Sequence, residues 1–574
     1  MEQNKNISGA DLLRKAKAGD VEAQSQLGRG YLHGDGVRSR PDKAVKWLTK
    51  AAAAGDAEAQ YALGTMREKG IGMKQDYAKA FQWYHRAAQQ GLDKAQYRLA
   101  RMYISGMGVK EDKTKAAEWF RKAADQGDLV SQTMLATMYM GGLGVERDPE
   151  YGGKLMREAA DAGYEGAHYG MGKMYDLGDG VEQDTETAVQ WYEKAAEEGY
   201  LPAQLALADM YLLGDGVEKD VQKAMKWART AAEGGYPRAQ VRLGDMYILG
   251  DGVEPDVLTA LQWYKKAERQ ESPEARQRIG DLYLEGNGVE QDSAIAFRWY
   301  KQAALQGFAP AQVQLARMYA EGEGTETDLA EAVKWVERAA AQDDPDALTY
   351  LSTMYAEGTG VEQNTDKAME LLRRAAEEDS PDALYALGSA YLFGVEMEQD
   401  EEEGQEFLAR AAEMGHPFAQ SLLGSYRLID AGWDNVDEET LDLIRRAADQ
   451  GVPQAQLELG RLYLDGNGVE KDERLGVSLI RQAADQEYSP AQYSLGVMYV
   501  NGEHVEKDLE LGLRLVRQAV EKGDPDALFG LGLAYEEGDD VPPDIEKAKQ
   551  LFQEAAAQGH EEAQEHLENL RNLS

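Results

Sequence analysis

The chain has 574 residues, with 103 acidic against 62 basic side chains and a formal charge of −41. A hydrophobic share of 43% is ample for folding, but the length exceeds one ordinary core and leaves either several globular domains or one repetitive array. The charge repels nucleic-acid phosphates and anionic lipid and favours basic partners, and the absence of cysteine excludes disulfides, thiol chemistry and Cys-ligated metal.

The opening segment, MEQNKNISGADLLRKAKAGD, has no apolar signal-like core. Nowhere does an apolar run approach the roughly 18 residues of a spanning helix. The expectation is a cytoplasmic chain without membrane insertion. Ser8 to Ala18 reads as a lone helix, so residues 1–20 are expected to form an N-terminal capping helix.

From residue 21 to residue 560 the sequence repeats every 36 residues without insertion or deletion. Each copy reads as two helices, A and B. In the second copy helix A is expected over roughly Glu58 to Lys69, with Ala59, Leu63, Gly64 and Met66 on one face. A loop of the form G-x-G-V-x-x-D follows. Its glycines sit where positive φ is needed, and its last Asp, such as Asp184 or Asp220, stands at an N-cap. Helix B, for example Ala188 to Glu198, stops at a glycine such as Gly199.

The stretch LGDMYILGDGV, Leu243 to Val253, sets Gly244 inside helix A. A mid-helix glycine costs about 1 kcal/mol relative to alanine. The fifteen positions of this column at 36-residue spacing, from Gly28 to Gly532, are all Gly, Ala or Ser. This column therefore reads as a packing device that lets helices A and B approach closely. Tyr follows three residues later in 13 of the 15 copies, so the register is not accidental. An apolar column with Trp in eight copies lies nineteen residues on, and an invariant Ala lies four beyond it. One copy is irregular. At LGSYRLIDAGWDNVD, Leu423 to Asp437, Arg427 replaces the tyrosine, the G-x-G loop is lost, and Trp433 lies outside the tryptophan column. Glu561 to Leu570 reads as a closing helix within a C-terminal cap, residues 561–574.

The pattern A-x-Q-x-x-L-G-x-x-Y-x-x-G-x-G-V…D…A-x-x-W-x-x-K-A-A-x-x-G resembles the Sel-one-like repeat family, relatives of the tetratricopeptide repeats. The resemblance runs from about Asp20 to the C-terminus. It implies an all-α fold, a right-handed α-α superhelix (solenoid) of about fifteen 36-residue helix-turn-helix repeats, and an adaptor or scaffold role. Some bacterial members act in host contact. A cysteine-rich subgroup binds penicillin-like compounds, and this chain lacks those cysteines.

On helix A the side opposite the core is centred near Arg29, with Gln26 and His33 beside it, at about 100° per residue. In this fold family that side lines the concave wall. The columns divide into three zones. The first is basic: Arg29, Lys69, Arg98, Arg101 and Lys173. The second carries Asp209, Asp245 and Asp281 beside Arg242 and Arg278, with Glu285, Glu321 and Glu357 beyond. The third is apolar: Phe393, Leu422 and Ile429, next to Trp433 and an acidic run at Glu401, Glu402, Glu403 and Glu406. Trp433 is either a binding anchor rimmed by acids or a filler in a decayed repeat.

No catalytic signature emerges. The seven histidines include one close pair, His560 and His566, whose i,i+6 spacing puts them on different helix faces. There is no H-E-x-x-H, P-loop or G-x-S-x-G. Asp179, Glu182, Asp184 and Glu186 fall at loop positions 1, 4, 6 and 8, out of step with an EF-hand. The methionine column, Met66 to Met498, reads as core. The expectation is a non-enzymatic protein without metal or cofactor that binds a protein or an extended peptide, with basic segments, along its wall. Two other classes stand beside it: an inhibitor or immunity-type protein wrapping a basic toxin or enzyme, and, by family analogy alone, a peptidoglycan or β-lactam-type hydrolase.

Overall fold

The computed structural model describes residues 9–572 apart from 396, 397 and 539. The described residues form 32 helices and no strand. They alternate as A and B helices of 36-residue units, the repeating architecture of an all-α solenoid. The helices gather into two compact units, Met1–Glu290 and Gln291–Ser574. In the first, helix Gly9–Lys17 precedes the repeats and buries Ala16 in a cluster with Ala23, Leu27 and Trp47. In the second, helix Glu561–Asn572 closes the chain and buries Ala563 and Leu567 against Leu551 and Phe552.

The local signals act as their chemistry requires. Helix Ala57–Lys69 covers the expected span with one residue more, and helix Thr185–Glu197 begins directly after Asp184. The Asp184 carboxylate accepts the backbone N–H of Thr187 at 3.0 Å, one of the donors a helix start leaves unpaired. Gly250 ends helix Pro237–Leu249 at φ 81° and donates its N–H to the Met246 carbonyl, and Gly252 follows at φ 74°. Where the irregular copy has lost this loop, its A-helix runs on as Pro417–Ala431, fifteen residues in place of the usual thirteen. Asp437 then caps Glu438–Asp449 one residue later than the register predicts.

The small-residue column has a more specific partner than the backbone of helix B. Nine of its glycines, from Gly28 to Gly532, face the side chain twenty residues on, one position after the tryptophan column. A Cβ on Gly64 would lie 2.6 Å from the Tyr84 ring, and one on Gly172 would lie 2.5 Å from Tyr192. On Gly244 it would lie inside the surface of Tyr264. Ala208 has the small Ala228 twenty residues on, while Ala100 has Phe120. These three tyrosines are almost wholly buried, and each hydroxyl reaches an acid on the preceding A-helix. Tyr84 donates to Glu68 at 2.5 Å, Tyr192 to Asp176 at 3.0 Å and Tyr264 to Asp245 at 2.7 Å. Burial pushes all three phenols far above their usual range. Most of the tryptophans one position earlier, such as Trp83 and Trp119, are only half-buried.

A second column, the Q of A-x-Q, couples neighbouring repeats. Gln60 donates to the Ala52 carbonyl of the preceding B-helix at 3.2 Å and accepts from Gln90, past the following B-helix, at 2.8 Å. The same relay joins Gln240 to Ala232 and Gln270, and Gln456 to Ala448 and Gln486. Two copies change both ends together. Glu268 takes the place of an alanine and pairs with Arg276 at 3.4 Å, where a glutamine usually stands. His168, fully buried, takes the glutamine position between the Ala160 carbonyl and Glu198. Such contacts run only between neighbours, which is how a repeat with no core of its own is held.

Candidate protein-binding face

The A-helices carry the predicted wall residues at three columns, and the structure treats these differently. In the first repeats Arg29, Lys69 and Arg98 come together around a cleft of about 540 Å³, shared with Gln26, His33, Glu58, Tyr61 and Lys94. Acids reduce its positive charge: Glu58 pairs with Arg29 at 3.4 Å and with Lys94 at 2.8 Å, and Glu68 lies 3.8 Å from Arg98. Arg101 and Lys173 are exposed and do not line this cleft. Arg101 rests over the Tyr97 ring instead.

The second zone forms a ladder of internal ion pairs. Arg242 meets Asp209 at 2.7 Å, and Arg278 bridges Asp245 at 3.0 Å and Asp281 at 3.5 Å. Burial raises the Asp209 carboxyl above its usual range, against the pull of Arg242. Asp245 also receives the Tyr264 hydroxyl. The Arg242–Asp209 and Arg278–Asp245 pairs join adjacent repeats, so much of this charge is neutralised within the A-helix face.

In the third zone Phe393 is 57% and Ile429 73% exposed, whereas Leu422 is half-buried. Trp433 is half-buried and packs on the cluster of Leu428, Leu441 and Ile444, filling the space left by the missing loop. Nearby, in the same groove columns, Glu458 is enclosed by Ser425 and Gln454, whose side chains lie 2.7 and 3.2 Å from its Oε1. Burial raises its carboxyl above the usual range, outweighing those two donors and Arg461. A raised folded value means that the native protein holds this proton more tightly than the unfolded chain. The ionised form therefore costs stability above the folded value, and that cost vanishes as pH falls below the unfolded value. Glu458→Gln is expected to raise the thermal midpoint at pH 7. The gain should fade below about pH 4, where an ordinary Glu is protonated; a gain independent of pH would disprove the assignment.

The sequence reading missed the most prominent apolar feature of the A-helices. Leu177, Leu213 and Leu249 end three consecutive A-helices in the column of His33, and are 65%, 72% and 70% exposed. Phe393 and Ile429 occupy the same column, and that coincidence was the available signal. A leucine ending an apolar helix such as LPAQLALADMYLL reads as core unless its rotation about the axis is tracked.

Paired helices repeating every 36 residues through both units define a helical-repeat protein. The Sel1 repeat family model matches fourteen segments, residues 21–56, 57–92, 93–128, 129–164, 166–200, 201–236, 237–272, 273–308, 309–344, 345–380, 381–416, 453–488, 489–524 and 525–560. The chain belongs to the Sel1 repeat family. Repeats of this kind generally mediate contacts between proteins. Residues 417–452, which hold Trp433, are passed over by the family model. Among solved structures, a protective antigen of uropathogenic Escherichia coli with an SLR fold is 30% identical over 85% of this chain and 97% of its own, with a TM-score of 0.39. A Sel1 repeat protein from Oxalobacter formigenes is 31% identical over 42% of this chain and 96% of its own, with a TM-score of 0.39. An immunity protein from Pseudomonas aeruginosa is 23% identical over 38% and 84%, with a TM-score of 0.29. No curated protein matches. Among the described residues no helix is long and apolar enough to cross a membrane.

Proposed function

We propose that this chain is a non-enzymatic scaffold that holds a protein partner, or an extended peptide of one, along the A-helix face. Residues 417–452 serve as a fifteenth, irregular repeat of the array. The observation that supports this reading is the exposed apolar column at the A-helix ends: Leu177, Leu213 and Leu249 in the first unit, Phe393 and Ile429 in the second. Single exposed leucines are ordinary, but a regular row of them is a docking feature. The charged columns beside the row are largely paired internally, so they orient a partner more than they attract one. The remaining acidic excess, −41 over the chain, favours partners with basic segments.

The test compares protein retained from a native lysate by the intact chain and by a Leu213→Ser, Leu249→Ser, Phe393→Ser, Ile429→Ser variant. The variant should lose what the intact chain retains, with the helical circular dichroism signal unchanged. Equal recovery by both would refute the reading. The acidic excess also favours the inhibitor reading. Tight 1:1 binding of one basic protein, weakened steeply by salt, would support it, and several weaker partners would support the scaffold.

A further inference from the structure

We propose that the cleft of the first repeats is a receptor for a short acidic peptide segment, a run of aspartate or glutamate side chains on a partner protein. This rests on the reading of the A-helix face as a protein-binding surface. It names a partner chemistry opposite in sign to the one that the chain as a whole favours.

The charge of this cleft runs against that of the molecule. Its lining carries four cations, Arg29, Lys69, Lys94 and Arg98, against two acids, Asp35 and Glu58, in a chain with 62 basic and 103 acidic side chains. Those cations are incompletely neutralised. Arg29 and Lys94 share the one carboxylate of Glu58, at 3.4 and 2.8 Å. Arg98 stands 3.8 Å from Glu68, whose carboxylate already accepts the Tyr84 hydroxyl. Lys69 has no ion-pair partner among the described residues, and it is the one lysine or arginine in its column of fifteen. Charges are screened over about 8 Å at physiological ionic strength, so the acids of distant repeats do not cancel this local excess. The cleft therefore attracts negative groups although the chain repels them.

Length selects a peptide over a small anion. Glu58 and Lys69 both line the cleft from the single helix Ala57–Lys69, and at 1.5 Å per residue they are about 16 Å apart along its axis. An extended segment of about five residues, at roughly 3.3 Å each, covers that length. The cations are distributed over it. Lys94 lies in the first turn and Arg98 in the second turn of helix Asp93–Ser105, Arg29 lies one turn before the end of Val21–His33, and Lys69 ends its own helix. A lone phosphate would engage one end, whereas several carboxylates on one segment reach both.

Nucleic acid suits the cleft less well. Tyr61 in the lining is already engaged by the Lys94 ammonium, 5.2 Å from its ring centre, and by the Tyr84 ring at 5.6 Å. It is not a free platform on which a base could stack. A phosphate backbone is also charged at every residue and would meet the acidic surface beyond the cleft, while a peptide can confine its acids to a few positions.

The probe is a labelled ten-residue peptide of alternating glutamate and serine, titrated into the full chain by fluorescence anisotropy, with the glutamine–serine peptide as its control. The glutamate peptide should bind at least tenfold more tightly than the control, although probe and protein are both acidic. Lys69→Glu with Lys94→Glu should weaken it at least tenfold. Lys46→Glu with Lys74→Glu changes the total charge equally at exposed positions outside the cleft and should alter the affinity less than twofold. Glu58→Gln releases Arg29 and Lys94 from their shared acid and should tighten binding at least threefold. The four lysines are exposed, and an unchanged thermal midpoint confirms that the variants fold. Equal weakening by the two lysine pairs, weaker binding to Glu58→Gln, or no binding of the glutamate peptide would overturn the assignment. Displacement of the peptide by inorganic phosphate at equal total charge would reduce the cleft to a small-anion site. Tighter binding of a single-stranded oligonucleotide of the same charge would replace the peptide with nucleic acid. The four-serine variant alters none of the cleft residues and should bind the glutamate peptide as the intact chain does. If no peptide binds while that variant still loses its lysate partner, the cleft assignment fails and the apolar column stands. If the peptide binds and that variant loses nothing, the cleft stands and the apolar column fails.

Discussion

Gly244→Val is expected to destabilise its repeat by about 3 kcal/mol, the upper end of the usual penalty for overpacking a filled core. Valine has a better helix propensity than glycine, so the whole loss must come from packing. Its Cβ would enter the ring of Tyr264, which is 1% exposed and has no room to retreat. Displacing that ring also withdraws its hydroxyl from Asp245, leaving a buried phenol without an acceptor. The natural Ala208 and Ala228 combination supplies the control. Gly244→Ala with Tyr264→Ala should be less harmful than the sum of the two single changes by at least about 1 kcal/mol, because alanine occupies part of the cavity the tyrosine leaves. Hydrogen exchange across Pro237–Leu249 and Val257–Glu268 measures this locally, which matters in an array whose unfolding need not be all-or-none. Simple additivity would show that the glycine is not there to admit the ring.

His168→Ala should cost about 3 kcal/mol, for a different reason. The imidazole is fully buried, with Nε2 2.9 Å from the Ala160 carbonyl and Nδ1 2.7 Å from Glu198, and it stacks on Trp191. Alanine removes the side chain that links the Ala160 carbonyl to Glu198 and opens a cavity in a fully buried site. The more revealing pair of variants uses the chain's own alternative. His168→Gln alone restores the donor to Ala160 but turns an amide oxygen toward the Glu198 carboxylate, acceptor against acceptor. Adding Glu198→Gln supplies the missing donor and rebuilds the relay seen at Gln240 and Gln270. The double variant should therefore be more stable than His168→Gln by about 1 kcal/mol or more in thermal or denaturant unfolding. No improvement would mean that the relay does not couple the repeats.

The repeat architecture was legible because its signals are local. Asp184 caps a helix and Gly250 turns a chain through chemistry carried within a few residues, and the 36-residue period multiplies each signal. The partner of the glycine was harder to read. Residues nineteen and twenty positions on differ by one step of about 100° around helix B, and only the packed rotation shows that Tyr264, not Trp263, enters the Gly244 slot. The glutamine column was visible in the pattern while its purpose was not, since the carbonyl it serves lies on a different helix. On the A-helices the charged columns recur at the 36-residue period. That Arg278 also reaches Asp245 on the preceding A-helix depends on the stagger between repeats, which composition does not carry. Leu177, Leu213 and Leu249 escaped notice because an apolar residue at a helix end reads as core, and Trp433, conspicuous in the sequence, turns out to be half-sheltered.

The central claim is that proteins are bound at the exposed ends of the A-helices. Photocrosslinking in the native lysate tests it most directly, with a benzophenone side chain placed at position 213 or 429 and, as the comparison, at the exposed B-helix position 46. The account predicts a discrete crosslinked protein from 213 or 429 and none of it from 46. The same products from all three positions, or none from 213 and 429, would contradict it.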